Sequence, residues 1–104
     1  MIGDFNTCRA YLDEAGAIDS TAYFLDRIEA AGFRDVWRRR FPERREFSWY
    51  STRGNGFRID HAFFSRRLAG GVGEIWYSHD VRTTGVSDHS ALLVELPALT
   101  FYRA

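Results

Sequence analysis

The chain begins Met1-Ile2-Gly3-Asp4-Phe5-Asn6 (MIGDFN, residues 1–6), and the fold turns on how this stretch is read. Met1 and Ile2 have the character of the last apolar residues of a strand. Gly3-Asp4-Phe5-Asn6 has that of the turn at the strand's carboxyl end, where α/β proteins commonly place chemistry. Taken alone, Gly-Asp-x-Asn is an ordinary turn composition in which Asp or Asn caps backbone amides. A strand with almost nothing in front of it leads to the expectation that the sequence starts in the middle of a fold.

The 104 residues around this stretch allow one domain at most. No apolar run approaches the roughly 20 residues of a membrane span. No basic segment followed by an apolar one marks a secretory signal. Cys8 is the only cysteine, which excludes an internal disulfide and fits a reducing, cytoplasmic compartment. As a lone thiol it reads as a small, partly buried apolar residue. Net charge is zero, yet unevenly spread: residues 34–58 carry 8 arginines against 3 acids, giving +5, while residues 1–33 sum to −4 and residues 59–104 to −1. All fourteen basic residues are arginine. Its planar fork pairs well with phosphate, although a chain without lysine reads first as compositional bias.

Outward from the opening turn, Ser20 can cap a helix over Thr21–Ala31 whose Phe24, Leu25, Ile28 and Ala31 share one face. Gly32 supplies its stop, with Phe33 as the apolar contact. "RDVWRRRF" (34–41) looks like a short helical turn ended by Pro42. The period then changes to that of strands. "EFSWYS" (46–51) and "GFRIDHAFFS" (56–65) are joined by a loop, "GEIWYSHDV" (73–81) follows, and "SALLVEL" (90–96) stops at Pro97. The order strand, helix, several strands argues for an α+β chain or one half of a layered α/β sandwich.

Two further motifs stand out. In "FRID" (57–60) a strand would alternate Phe57, Ile59, His61 and Phe63 with Arg58, Asp60, Ala62 and Phe64. An acid between apolar neighbours in mid-strand is costly unless paired, so Asp60 needs a partner. "VSDHSALLVEL" (86–96) sets Ser87-Asp88-His89 immediately before a buried-looking strand. Each has a bland reading: a structural carboxylate in the first, a turn before a strand in the second. His79-Asp80 shows that such pairs arise without purpose.

Together, "GDFN", "RID" and "SDHS" in that order, with "FSWY" just before the second, resemble the endonuclease/exonuclease/phosphatase superfamily. The likeness is strongest to its exonuclease III and abasic-site endonuclease branch and covers Ile2 to Leu96. It implies the C-terminal half of a four-layer αββα sandwich, mostly antiparallel with one main helix. Residues 1–104 would be a partial domain of which the N-terminal half is absent.

The family hydrolyses phosphate esters by metal-assisted in-line attack of water, which requires a water-orienting group, a cation and donors for the developing phosphate charge. By resemblance, Asp4 positions and activates the water, and Asn6 hydrogen-bonds the water or a phosphate oxygen. Asp60 accepts from one nitrogen of His89, which donates to the scissile phosphate from the other. Asp88 helps hold Mg²⁺ or Mn²⁺. Trp49, Phe57 and Ile59 match positions lining an apolar pocket for a base-less sugar, with ordinary core packing as their other reading. Arg53 and Arg58 lie beside them, within reach of phosphates. Arg38, Arg39, Arg40, Arg44 and Arg45 read either as a nucleic-acid backbone track or as a solvated face partnered by Glu43 and Glu46.

The family's main metal-binding Glu belongs to the N-terminal half and has no counterpart in this sequence. The resemblance therefore implies a chain that binds metal weakly, acts poorly alone and associates through an uncovered sheet face. "STRGNGF" (51–57) is short where abasic-site enzymes often carry a longer loop, and Ala91 follows "SDHS" where many relatives have proline. The expected function is divalent-metal phosphodiester hydrolysis on DNA, abasic or 3′-end processing in repair. The alternatives are a non-catalytic half-domain that binds nucleic acid or a partner, and a phosphatase or lipid phosphodiesterase of the same superfamily.

Overall fold

The computed structural model describes residues 1–9, 11–14 and 22–97. In chain order these form β1 (Ile2–Asp4), α1 (Tyr23–Ala30), β2 (Phe33–Asp35), α2 (Val36–Arg40), β3 (Trp49–Tyr50), β4 (Gly56–Phe57) and β5 (Asp60–Ser65). They continue with α3 (Arg66–Ala69), β6 (Ile75–Ser78), α4 (Asp80–Thr83) and β7 (Ala91–Val94). The expected cap at Ser20 and the tail from residue 98 onward lie outside the described residues.

The strand β5 is the axis of the molecule. It pairs antiparallel with β1 at its first half and with β2 at its second, in the order β1-β5-β2. Two antiparallel hairpins, β3-β4 and β6-β7, complete the sheets. This is a mixed α/β chain with antiparallel pairing and few helices, as the strand-rich second half of the sequence implies. The core gathers Val36, Trp37, Ala62, Val72, Ile75 and Tyr77, with Phe41, Phe64, Leu92 and Val94 packed around them. Trp37 is edge-on to Tyr77 at 5.2 Å between ring centroids, joining α2 to β6. Among the described residues, no helix is long and apolar enough to cross a membrane.

Three sequence expectations are corrected. In α1 only Leu25 is fully buried. Phe24, expected on the packed face, remains exposed and stacks on Tyr23 at 4.3 Å. The helix stop is where Gly32 places it, at φ 101°, a backbone region that glycine reaches without steric cost. Directly after it, Phe33–Asp35 forms an edge strand that its three residues are too few to announce. Lastly, residues 56–65 are not one continuous strand. Arg58 and Ile59 break the ladder because their backbone groups bond elsewhere: Arg58 N–H to the carbonyl of Asp13 at 2.7 Å, and Ile59 C=O to the N–H of Phe5 at 2.9 Å.

Several large apolar side chains stay in solvent. Ile2 is 61% exposed on β1, and Trp76 faces Leu93 across the β6-β7 hairpin with both partly in water.

Candidate active site

The pairing of β1 with β5 sets Asp4 directly opposite Asp60, so both carboxylates emerge at the same end of the sheet. The following residue but one, Asn6, sits at φ 54°, a left-handed conformation that asparagine tolerates. This turns the chain back so that Asn6 N–H donates to Asp4 Oδ1 at 2.8 Å. The Asn6 amide nitrogen, in the orientation that satisfies both groups, lies 3.2 and 3.3 Å from the two Asp4 oxygens. The "GDFN" turn is therefore a local device that fixes the Asp4 carboxylate.

His89 arrives from the other side. Its backbone bridges Trp49, and the next residue, Ser90, donates N–H to the Ser48 carbonyl at 2.7 Å. The imidazole Nδ1 lies 2.7 Å from Asp60 Oδ2, and Nε2 lies 3.7 Å from Asp4 Oδ2. One histidine thus links two carboxylates contributed by strands far apart in sequence. Partial burial pulls the His89 pKa down. The hydrogen bond with Asp60 and the charges of Asp60, Asp4 and Asp88 outweigh it, so the net shift is upward. Asp60 also fixes the tautomer, with Nδ1–H as donor, leaving Nε2 facing solvent and Asp4.

The structure brings Asp4, Asn6, Asp60 and His89 together. Among the described residues Asp4, Asp60 and His89 also form a group whose ligand atoms all lie within 4.8 Å of one another. That spacing is close to the separation of two donors across one ion at about 2.1 Å per bond. Asp88 stands outside this group, exposed to solvent, and acts on His89 through its charge. The two carboxylates suit a hard divalent cation, and the imidazole Nε2 faces the Asp4 carboxylate beside them.

The aromatic residues are adjacent. Trp49 and Phe57 pair across β3-β4 with ring centroids 5.6 Å apart, and the Trp49 ring is 6.4 Å from that of His89. Both are half-buried, and Ile59 is buried. Arg53 lies exposed on the turn of the same hairpin.

Arg58 departs from its expected place. It is 1% exposed, and its guanidinium is fully engaged inside the protein. Nε donates to Asp13 at 2.7 Å, Nη2 to Asp35 at 2.9 Å and Nη1 to Tyr77 Oη at 3.1 Å, with the group 4.8 Å above the Trp37 ring. A buried cation needs such partners, and a phosphate has no path to it. The neighbouring arginine run is likewise structural in part. Arg38 bonds Asp13, Arg45 donates to the Glu14 carbonyl at 2.7 Å, and Arg44 covers Phe41. Glu43 is not among their ion-pair partners, and Glu46 contacts His79 instead at 3.5 Å.

Three residues that support the site were not singled out from the sequence. Ser48, fully buried, accepts from the N–H groups of Ile59 at 3.1 Å and Asp60 at 3.3 Å while its carbonyl holds Ser90. It pins both halves of the Asp60–His89 pair, and its place in "FSWY" was the available signal. Tyr77 Oη donates to the Asp60 carbonyl at 2.6 Å. His61, the strand neighbour of Asp60, is buried with Nε2 2.7 Å from the Thr7 carbonyl. Burial first, and then the nearby Arg58 charge, hold its pKa below the usual value, so it stays neutral and structural.

The same arrangement of strands occurs in solved structures. A 3′ phosphatase, NExo, from Neisseria, bound to a product DNA hairpin, superposes with a TM-score of 0.79 at 22% identity, over 91% of this chain and 43% of its own. The likeness is one of fold. The 3′-5′ exonuclease NExo from Neisseria meningitidis gives 0.78 at 23% identity over the same shares. The AP endonuclease LMAP from Leishmania major gives 0.68 at 22% identity, over 88% of this chain and 32% of its own. This chain thus spans less than half the length of these proteins, and at such identities the likeness concerns the fold. No protein-family model and no curated protein matches the sequence.

Proposed function

We propose that the chain carries part of the active site of a divalent-metal phosphodiesterase acting on DNA. The observation that carries this reading is the Asp60–His89–Asp4 line, with Nδ1 bonded to Asp60 at 2.7 Å and Nε2 free to face a substrate beside Asp4. In its protonated form, which Asp60 favours, His89 donates to a phosphate oxygen through Nε2–H. Asp4, held by Asn6, accepts a proton from the attacking water. With Nε2 turned to phosphate as a donor, carboxylates rather than the imidazole would hold Mg²⁺ or Mn²⁺, and Asp88, exposed beside the cluster, is the ligand that the family resemblance suggests. The ion, when bound, neutralises charge developing on the phosphate. Trp49 and Phe57 wall the side next to His89 and suit a base-less sugar, with Arg53 on the same hairpin in reach of a flanking phosphate. The DNA hairpin held by one structural neighbour favours DNA over a lipid or small phosphate ester.

The test is cleavage of a duplex bearing one abasic site, with and without Mg²⁺. The expected result is weak Mg²⁺-dependent cleavage that Asp4→Ala and His89→Ala each reduce about 10²-fold or more. Cleavage unchanged in both variants overturns the reading. Salt-sensitive DNA binding with no cleavage at all would instead support a non-catalytic nucleic-acid-binding role for this half of the fold.

A further inference from the structure

At the end of β5 opposite to Asp60, the surface is hollowed into a cleft of about 470 Å³ lined by Arg34, Arg39, Arg40 and Arg66 over Val36 and Ala69. Six residues of strand separate the two ends, roughly 17 Å at about 3.3 Å per residue, so the cleft is distinct from the candidate active site. It contains four cations and no carboxylate. Arg40 is already engaged, donating to the carbonyls of Val72 at 2.7 Å and Gly73, and forms a fixed wall. Among the described residues, Arg34, Arg39 and Arg66 have neither an ion pair nor a side-chain hydrogen bond. Their backbones are nevertheless rigidly set. Arg34 lies in β2 opposite Phe64, Arg39 lies in α2 behind its Asp35 cap, and Arg66 opens α3 behind the Ser65 cap.

In the interior, by contrast, Arg38 and Arg58 meet around the carboxylate of Asp13. Like charges gathered without a counter-charge repel, and a bound anion removes that repulsion. The volume lies in the range of small-ligand sites and is too small for a duplex. The lining offers guanidinium forks, suited to phosphate oxygens, and no aromatic ring on which a base could stack.

We propose that this cleft binds a small, multiply phosphorylated anion, gripped by Arg34, Arg39 and Arg66. The site is independent of the nuclease reading. The probe is inorganic tripolyphosphate, titrated calorimetrically into the intact chain at low salt with EDTA present, so that no metal occupies the carboxylates. Saturable one-to-one binding is expected, weakened at least tenfold by the double substitution Arg39→Ala/Arg66→Ala and unchanged by Asp4→Ala. In the unsubstituted protein, tripolyphosphate should also shield Arg39 and Arg66 from phenylglyoxal, a readout that does not depend on how the variant folds. Absence of saturation, equal affinity in the double variant, or no protection would overturn the proposal. So would displacement of tripolyphosphate by a single-stranded oligonucleotide at equal phosphate concentration, which would make the cleft a nucleic-acid contact. Loss of DNA cleavage in Asp4→Ala bears only on the active site and leaves this cleft untouched.

Discussion

Two clusters of charge lie on either side of Tyr77, and they differ in kind. In the interior, Arg58 meets Asp13 and Asp35 with every nitrogen engaged, and Arg38 completes the set. At the sheet's end, His89 spans Asp60 and Asp4 with Nε2 still available and part of the group in water. Tyr77 joins them, accepting from Arg58 and donating to the carbonyl of Asp60. The inner cluster is closed, with every Arg58 nitrogen partnered and Arg38 Nε alone of its guanidinium nitrogens left without a bond, which holds the chain in shape. The outer one is held from below but left with unspent donors and acceptors, which chemistry requires. A catalogue of charged residues would not separate them; burial and completeness of hydrogen bonding do.

The largest effect should come from breaking the inner cluster. Arg58→Met leaves Asp35 and part of Asp13 buried without a counter-charge, and urea unfolding should show a loss of about 3–5 kcal/mol. If stability fell by less than 1 kcal/mol, the closed character assigned to that cluster would be wrong.

Next is packing beneath the outer cluster. A Cβ at Gly56 would lie 2.5 Å from the Phe47 ring, so Gly56→Ala should cost about 1–3 kcal/mol. The same substitution should disturb the Trp49–Phe57 contact, visible as a change in tryptophan fluorescence.

The comparison sharpens with pH. The His89 pKa is raised in the folded chain, so its stabilising contribution is complete below about 6.5 and fades as pH rises through the raised value. The His61 pKa is lowered, so it acts in the opposite sense, and stability declines as pH falls below about 6.5 toward its folded value. Asp60→Asn should move the His89 imidazole resonance titration downward by NMR and flatten the stability slope above pH ~6.5 while leaving that below it. A His89 titration unmoved by Asp60→Asn would dissociate the pair.

The smallest effect is expected at Asp35. Its side chain accepts from Arg38 N–H at 3.1 Å as the cap of α2 besides pairing with Arg58. In an Arg58→Met background, Asp35→Asn keeps the cap and removes the stranded charge. It should recover part of the lost stability in the same urea assay.

Much of the outer cluster was legible in the sequence. The family resemblance of "GDFN", "RID" and "SDHS" named Asp4, Asn6, Asp60 and His89, while the residues alone marked only Asp60, an acid in an apolar strand, as needing a partner. The inner cluster was not legible. Arg58 adjoins Asp60 in the same motif and looks equally functional, and nothing local reveals that Asp13 and Asp35 come from 45 and 23 positions away to bury it. Phe24 was misjudged for a related reason: helical periodicity locates a face, but the surface that meets it decides how much of that face is covered.

By itself, the sequence determined much of the alternation of strand and helix and the turn that holds Asp4, and its resemblance to a known family named the candidate site residues. These depend on backbone preference and on chemistry carried within a few residues. Only the tertiary structure decided which arginines serve the core, that Ser48 and Tyr77 hold Asp60, and that unpaired cations gather at the far end of β5. Those outcomes depend on burial and on partners distant in the chain, and a charge is structural or available according to whether its neighbours in space have already satisfied it.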